Sequence, residues 1–206
     1  LLSGEYSQLR NLLFFLSIPF EWFIYLFVLG FGLSTYFRRV SEETTRFFFL
    51  QTALYVLLLS LVSSLLAFPL SLISRKVSLA YGISTQSFSS WMRDYTIDFW
   101  FGWLILTLTV WVIYVFMRRN KKRWWFHVWL VSIPFTIFLT FIQPVVIDPL
   151  YNDFYSLQDK ELEKQILALA DRADIPADDV YEVNMSEKTN ALNAYVTGIG
   201  SNLRIV

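Results

Sequence analysis

Cysteine is absent, so no disulfide framework and no thiolate metal site can form. Histidine occurs once, at position 127, so these residues cannot build a zinc site with two histidine ligands. Charged residues reach only 17 %, against roughly 25 % in soluble domains. An ordinary soluble enzyme needs more polar surface than that. A disordered chain is excluded too, because such chains are poor in aromatics and rich in charge. The formal net charge is zero, so no basic excess marks a nucleic-acid-binding module.

What the chain has instead is apolar surface. Of its 206 residues 55 % are hydrophobic, and 20 Phe, 11 Tyr and 8 Trp bring the aromatics to 19 %. The zero net charge hides a division. Residues 1–147 carry twelve Lys and Arg against six Asp and Glu, whereas residues 148–206 carry five against eleven. All eight Trp lie between Trp22 and Trp129. Two regimes therefore meet at Asp148-Pro149: a basic, aromatic domain over 1–148 and an acidic, water-compatible segment over 149–206. The chain starts at Leu1 and stops at Arg204-Ile205-Val206 in the middle of a strand-like run, as a piece of a longer protein would.

Four apolar runs, about 12–33, 47–70, 99–117 and 124–147, are long enough to cross a bilayer, which takes about 20 residues. Only Glu21 and His127 interrupt them with an acidic or basic side chain. The runs are continuous rather than alternating, so they predict helices and not barrel strands. Trp100 and Trp103, then Trp124, Trp125 and Trp129, are expected as anchors at the membrane surface. Loops 34–46 and 118–123 together hold eight Lys and Arg, against six on the opposite side, which favours a cytoplasmic position for those two loops.

The tail reads as α+β and unfinished. Ser156 and Asp159 form a capping-box-like pair before an amphipathic helix over roughly 158–173, ended by Ile175-Pro176. A short strand over 180–184 follows. Two paired strands over 192–197 and 203–206 are expected, with Gly198, Gly200, Ser201 and Asn202 making the turn.

Four features could carry chemistry. Glu21 lies halfway along the first span, where a carboxylate is costly and marks either a functional site or a polar partner for another helix. His127 is an interfacial or interhelical hydrogen bonder. Segment 75–98 is a structured loop, in which Gly82 permits a tight turn and Ser84 or Thr85 caps a short helix carrying Trp91, Asp94 and Asp98. Asn193, Ala194 and Tyr195 form either one arm of a plain hairpin or an edge strand that binds an extended peptide by β-addition.

Two separated stretches resemble one family. Tyr81-Gly82-Ile83-Ser84-Thr85-Gln86, with Trp91 and Asp94, resembles the membrane-domain signature of the Ste24-type, M48-family zinc metallopeptidases (CAAX prenyl protease type 1). The junction from Pro144 through Asp148-Pro149-Leu150-Tyr151-Asn152-Asp153-Phe154 is similar to that family's passage into its catalytic domain. Asn190-Ala191-Leu192-Asn193-Ala194-Tyr195-Val196-Thr197-Gly198, followed by Arg204-Ile205-Val206, is similar to its Asn-Ala-Tyr-x-Thr-Gly strand. Ser78-Leu79 and Ile97 depart from the family, which often has Glu-His and Lys there.

The resemblance implies a mostly α, four-span membrane bundle followed by the start of a zincin-like domain. It implies a zinc endopeptidase in a bacterial cell membrane, acting on a peptide or protein substrate that is lipidated or membrane-bound. In the family a His-Glu-x-x-His helix and a later Glu hold the zinc. That motif is absent from these residues, so the segment alone is expected to be inactive. The resemblance also assigns substrate binding to Asn193, Ala194 and Tyr195, with Asn193 holding the substrate backbone and Ala194 offering its carbonyl. The alternative is a membrane scaffold or pseudo-peptidase of the same fold. A transporter would call for internal repeats and more intramembrane charge than the chain has.

Overall fold

A computed structural model describes residues 2–177, 179–197 and 203–206. The chain divides into two compact units, Leu1–Ser84 with Phe88–Val128, and Thr85–Ser87 with Trp129–Val206.

The first unit is helical. It holds α1 (Leu2–Gly30), α2 (Leu33–Thr44), α3 (Phe48–Ala80), α4 (Phe88–Arg119) and the first turn of α5 (Trp124–Ile142). Four helices, those over Gly4–Gly30, Phe48–Ala80, Phe88–Arg119 and Trp124–Tyr151, are long and apolar enough to cross a membrane. Pro19, Pro69 and Pro134 lie inside them without ending them. In lipid, neighbouring helices and hydroxyl side chains absorb the lost backbone bond.

Glycine sets two of the breaks. Gly32 takes φ 70° and turns the chain from α1 into α2. Gly82 takes φ 68° after α3, where Gly82 N–H donates to Leu79 O and Ile83 N–H to Ser78 O. Both conformations disfavour a side chain. Between α4 and α5 the Asn120 carboxamide oxygen accepts from the backbone N–H groups of Lys122 and Arg123, which tightens the turn.

Helix α3 is the hub. Ser34 of α2 bonds Tyr55 at 2.8 Å, Ser64 bonds Tyr95 of α4 at 2.7 Å, and Tyr6 of α1 lies 3.4 Å from Ser78. Trp103 of α4 donates its indole N–H to Ala53 O at 3.0 Å. Phe49 meets Trp111 edge-on, and Phe68 packs against Trp91 and Tyr95. These polar and aromatic contacts matter because apolar burial drives little helix association when the solvent is itself apolar. The buried apolar set in this unit is accordingly small: Ile24, Val28, Phe37, Ala53 and Val56.

The sequence misplaces some details here. Segment 75–98 is not a loop with a separate short helix. Helix α3 runs on to Ala80, and Trp91, Asp94 and Asp98 sit in the first turns of α4. Trp103 is a helix-to-helix donor, a role that its sequence position does not announce. Its N–H needs a partner in an apolar setting, and the Ala53 carbonyl supplies one.

The second unit continues from α5 through a π-helical turn, Gln143–Ile147, and α6 (Asp148–Tyr151). Then come β1 (Phe154–Ser156), α7 (Lys160–Arg172), β2 (Asp179–Val183), a 3-10 turn at Met185–Glu187, β3 (Val196–Thr197) and β4 (Arg204–Ile205). The sheet order is β1-β2-β4-β3. β1 pairs antiparallel with β2, β2 parallel with β4, and β3 antiparallel with β4.

Helix α7 is capped by Asp159, whose carboxylate accepts from Glu161 and Leu162 N–H at 3.0 Å each. Ser156 does not cap it, because its backbone is committed to the sheet opposite Tyr181. The helix ends before Pro176 is reached. Asp174 adopts φ 54°, and Ile175 N–H closes back on Ala170 O at 2.9 Å. Asp is one of the few residues that enters the left-handed region readily. The expected turn at Gly198, Gly200, Ser201 and Asn202 lies outside the described residues.

Candidate substrate-binding edge strand

Asn193, Ala194 and Tyr195 lead directly into β3, which is one of the two outer strands of the sheet among the described residues. The pairing with β4 extends one residue past the strand. Tyr195 N–H donates to Val206 O at 3.0 Å, and Val206 N–H donates to Tyr195 O at 2.9 Å. In an antiparallel pair such doubly bonded positions alternate with positions whose groups point the other way. Tyr195 and Thr197 therefore face β4. The N–H and C=O of Ala194 and Val196 face outward, away from the sheet. Asn193, Ala194 and Val196 are exposed, and Tyr195 is half-buried. An exposed row of this kind can take one more strand.

What holds the edge in place begins with two prolines. In the turn Gln143–Ile147, Asp148 N–H reaches back five residues to Gln143 O. By the same step, the donor for Pro144 O would be residue 149. That residue is Pro149, which has no N–H. The Pro144 carbonyl is instead taken by the guanidinium of Arg204, in the middle of the sheet. The same guanidinium lies 5.3 Å from the Phe154 ring and 5.4 Å from the Tyr181 ring. In register, Arg204 stands opposite Asp179 on one side and Thr197 on the other. One side chain thus ties the end of the last apolar helix to the strand that carries the edge.

Charge extends this cluster to Tyr195. Burial pushes its hydroxyl above the usual tyrosine range, the negative Asp148 adds to the rise, and the positive Arg204 partly opposes it. At the far end of β2, Asp153 N–H donates to the Asn184 side-chain oxygen at 3.0 Å, and Asn184 N–H to Asp153 O at 3.3 Å. Lys188 Nζ donates to Tyr151 O at 2.6 Å. Thr85, from the Tyr-Gly-Ile-Ser-Thr-Gln signature, donates through its hydroxyl to Ser186 O and through its N–H to Lys188 O. Sequence reasoning missed the roles of Arg204, Asn184 and Lys188. The spacing of Pro144 and Pro149 was the available signal for the first.

The other predicted residues lie in the first unit. Glu21 accepts from Tyr25 of its own helix at 3.1 Å and lines a cleft of about 740 Å³ between α1, α3 and α4. Serines of α3, among them Ser63, Ser64, Ser71 and Ser74, form much of its wall, with Tyr95 and Asp98 from α4. His127 bonds Arg123 O through Nδ1 at 2.8 Å, which requires the proton on that nitrogen, and stacks on Phe116. Among the described residues no three His, Cys, Asp or Glu side chains gather where a metal could bind.

Comparison with known proteins matches residues 3–153 to the family model described as CAAX prenyl protease N-terminal, five membrane helices. Residues 156–206 match Peptidase family M48. A Bacillus subtilis protein named as an uncharacterized metalloprotease, YhfN, is 54 % identical over 202 residues, covering 98 % of this chain and 47 % of that protein. The CAAX prenyl protease 1 of Saccharomyces cerevisiae is 29 % identical, covering 95 % of this chain and 43 % of its own length. The chain thus spans about half the length of these relatives. The crystal structure of S. mikatae Ste24p superposes with a TM-score of 0.83 over 98 % of this chain and 49 % of that one, at 23 % identity.

Proposed function

Because the chain belongs to the M48 family of membrane metallopeptidases, matched through its CAAX prenyl protease amino-terminal region, we propose that the whole protein is a zinc endopeptidase for which these residues supply the membrane helices and the substrate edge. The four membrane-capable helices and the family match make it a multi-pass membrane protein. The residues described here do not offer a zinc ligand set. The metal would be held by other residues, and when bound it would supply the activated water and the polarised carbonyl.

The observation that carries the reading is the open edge of β3. Its outward groups are those of Ala194 and Val196, and the exposed Asn193, next in the chain, carries a carboxamide with both donor and acceptor groups. A substrate peptide docks there in extended form, paired backbone to backbone. Strand pairing reads no sequence, so the choice of substrate rests on other contacts. The names of the eukaryotic relatives favour a prenylated peptide or protein presented from the bilayer.

The test uses the complete protein. Asn193→Ala should lower kcat/KM by about five- to 150-fold, equivalent to roughly 1–3 kcal/mol of lost transition-state binding. Zinc content should stay at one per chain, because Asn193 touches the substrate and not the metal. Unchanged kinetics would remove Asn193 from the site. Absence of both zinc and cleavage in the wild type would leave the scaffold reading in its place.

A further inference from the structure

A second groove, of about 230 Å³, lies in the first unit between the amino-terminal half of α1 and the carboxy-terminal half of α3. Its upper end is pinned by Tyr6, whose hydroxyl lies 3.4 Å from Ser78 and whose ring lies 5.6 Å from that of Tyr81. Beside that anchor lies Val77, below it Arg10 and Ser74, and deeper still Leu13, Phe14 and Leu70, with Ser17 at the far end. Arg10 stands two residues before the apolar run that begins at Leu12, at the depth where charge returns on α3 as Arg75 and Lys76. The groove therefore runs from headgroup level into the hydrocarbon.

Arg10 is the one charged residue in the lining, and among the described residues it makes no ion pair. The nearest carboxylate along its helix, Glu5, lines a different groove with Gln8 and Tyr81. An exposed guanidinium with hydroxyls beside it suits a phosphodiester, which it can grip with two parallel N–H bonds. With no Asp or Glu in the lining, nothing there would take the ammonium of a zwitterionic headgroup. At about 30 Å³ per water-sized group, the groove holds roughly eight such groups. That is room for a phosphate, part of its glycerol and the start of one acyl chain.

We propose that this groove is a binding site for one anionic phospholipid, with the phosphodiester on Arg10 and an acyl chain along Leu13, Phe14 and Leu70. Ser17, Leu70, Ser74 and Ser78 line both this groove and the polar cleft of about 740 Å³. A lipid seated here closes the seam between α1 and α3 on that side of the cleft. The site is independent of the peptidase reading, since it uses no residue of the edge strand.

The experiment is native mass spectrometry of the complete protein from micelles doped with dioleoylphosphatidylglycerol or dioleoylphosphatidylcholine. The wild type should retain one more phosphatidylglycerol per chain than Arg10→Gln does, and Arg10→Lys should recover much of the difference. Neutralising Lys121 and Lys122 in the other basic loop should leave that one lipid in place. Ser74→Leu, which fills the groove without touching the charge, should remove it too. Equal lipid counts in the wild type and Arg10→Gln would overturn the site. Equal retention of phosphatidylcholine would overturn its anionic preference. Displacement of the lipid by millimolar inorganic phosphate would show an anion site rather than a lipid site, and would overturn the assignment as well.

Discussion

Leu65 of α3 and Leu169 of α7 expose similar fractions of their surface, 74 % and 62 %. They teach opposite lessons. In the first unit an exposed leucine is the rule. Trp22, Phe23, Leu26 and Leu29 all face outward on α1, while hydroxyls and aromatic edges join the helices. In the second unit the exposed leucine sits on a 13-residue helix that mixes charged and apolar residues, and the α7 terminus is fixed by a carboxylate cap. The same residue type satisfies lipid in one half of the chain and is merely tolerated by water in the other. Exposure alone does not say which; the length and continuity of the surrounding apolar run does.

The largest break in this comparison should come from arginine at the two leucines. Leu65→Arg lies near the middle of a membrane-crossing helix and should cost about 3–4 kcal/mol of insertion, read as loss of membrane-integrated protein. Leu169→Arg should change stability by no more than about 0.5 kcal/mol. Equal losses would mean that the α7 face is covered in the complete protein.

A smaller effect sharpens the second unit. Asp159→Ala should lose about 1 kcal/mol of helix stability, seen as roughly five-fold faster amide exchange over 160–172. Asp159→Asn should keep most of it, because the amide oxygen still accepts from the first-turn N–H groups. The smallest effect belongs to the membrane. Tyr95→Phe removes the bond to Ser64 and should cost about 0.6 kcal/mol, the average for interhelical hydrogen bonds in lipid. A cost several times larger would mean that the serine-tyrosine bonds around α3, and not packing, hold the bundle.

The four spans are legible in the sequence because a bilayer reads length and apolarity directly, and both are local. Their ends are not legible. Helices α3 and α4 run on through Ser, Arg and Lys to Ala80 and back to Phe88, where hydropathy has fallen but helix propensity has not. The antiparallel pairing of the last two strands follows from their spacing. The position of β3 at the edge does not, because it depends on β4 pairing in parallel with β2 across more than twenty residues. Ser156 and Asp159 both suit a helix cap, and only the sheet decides between them. The Arg204 cluster was the least visible. Its partners lie sixty, fifty and twenty-three residues away, and no local pattern links them.

Pro144 and Pro149 have one more consequence. A carbonyl that cannot be served by its own helix must be served from elsewhere, and here the donor is a side chain of the strand beside the open edge. The height of that strand and the end of the membrane helix are therefore one coordinate rather than two. A surveyor would call Pro144 the benchmark: the level from which the position of the edge is measured, set by the chain itself.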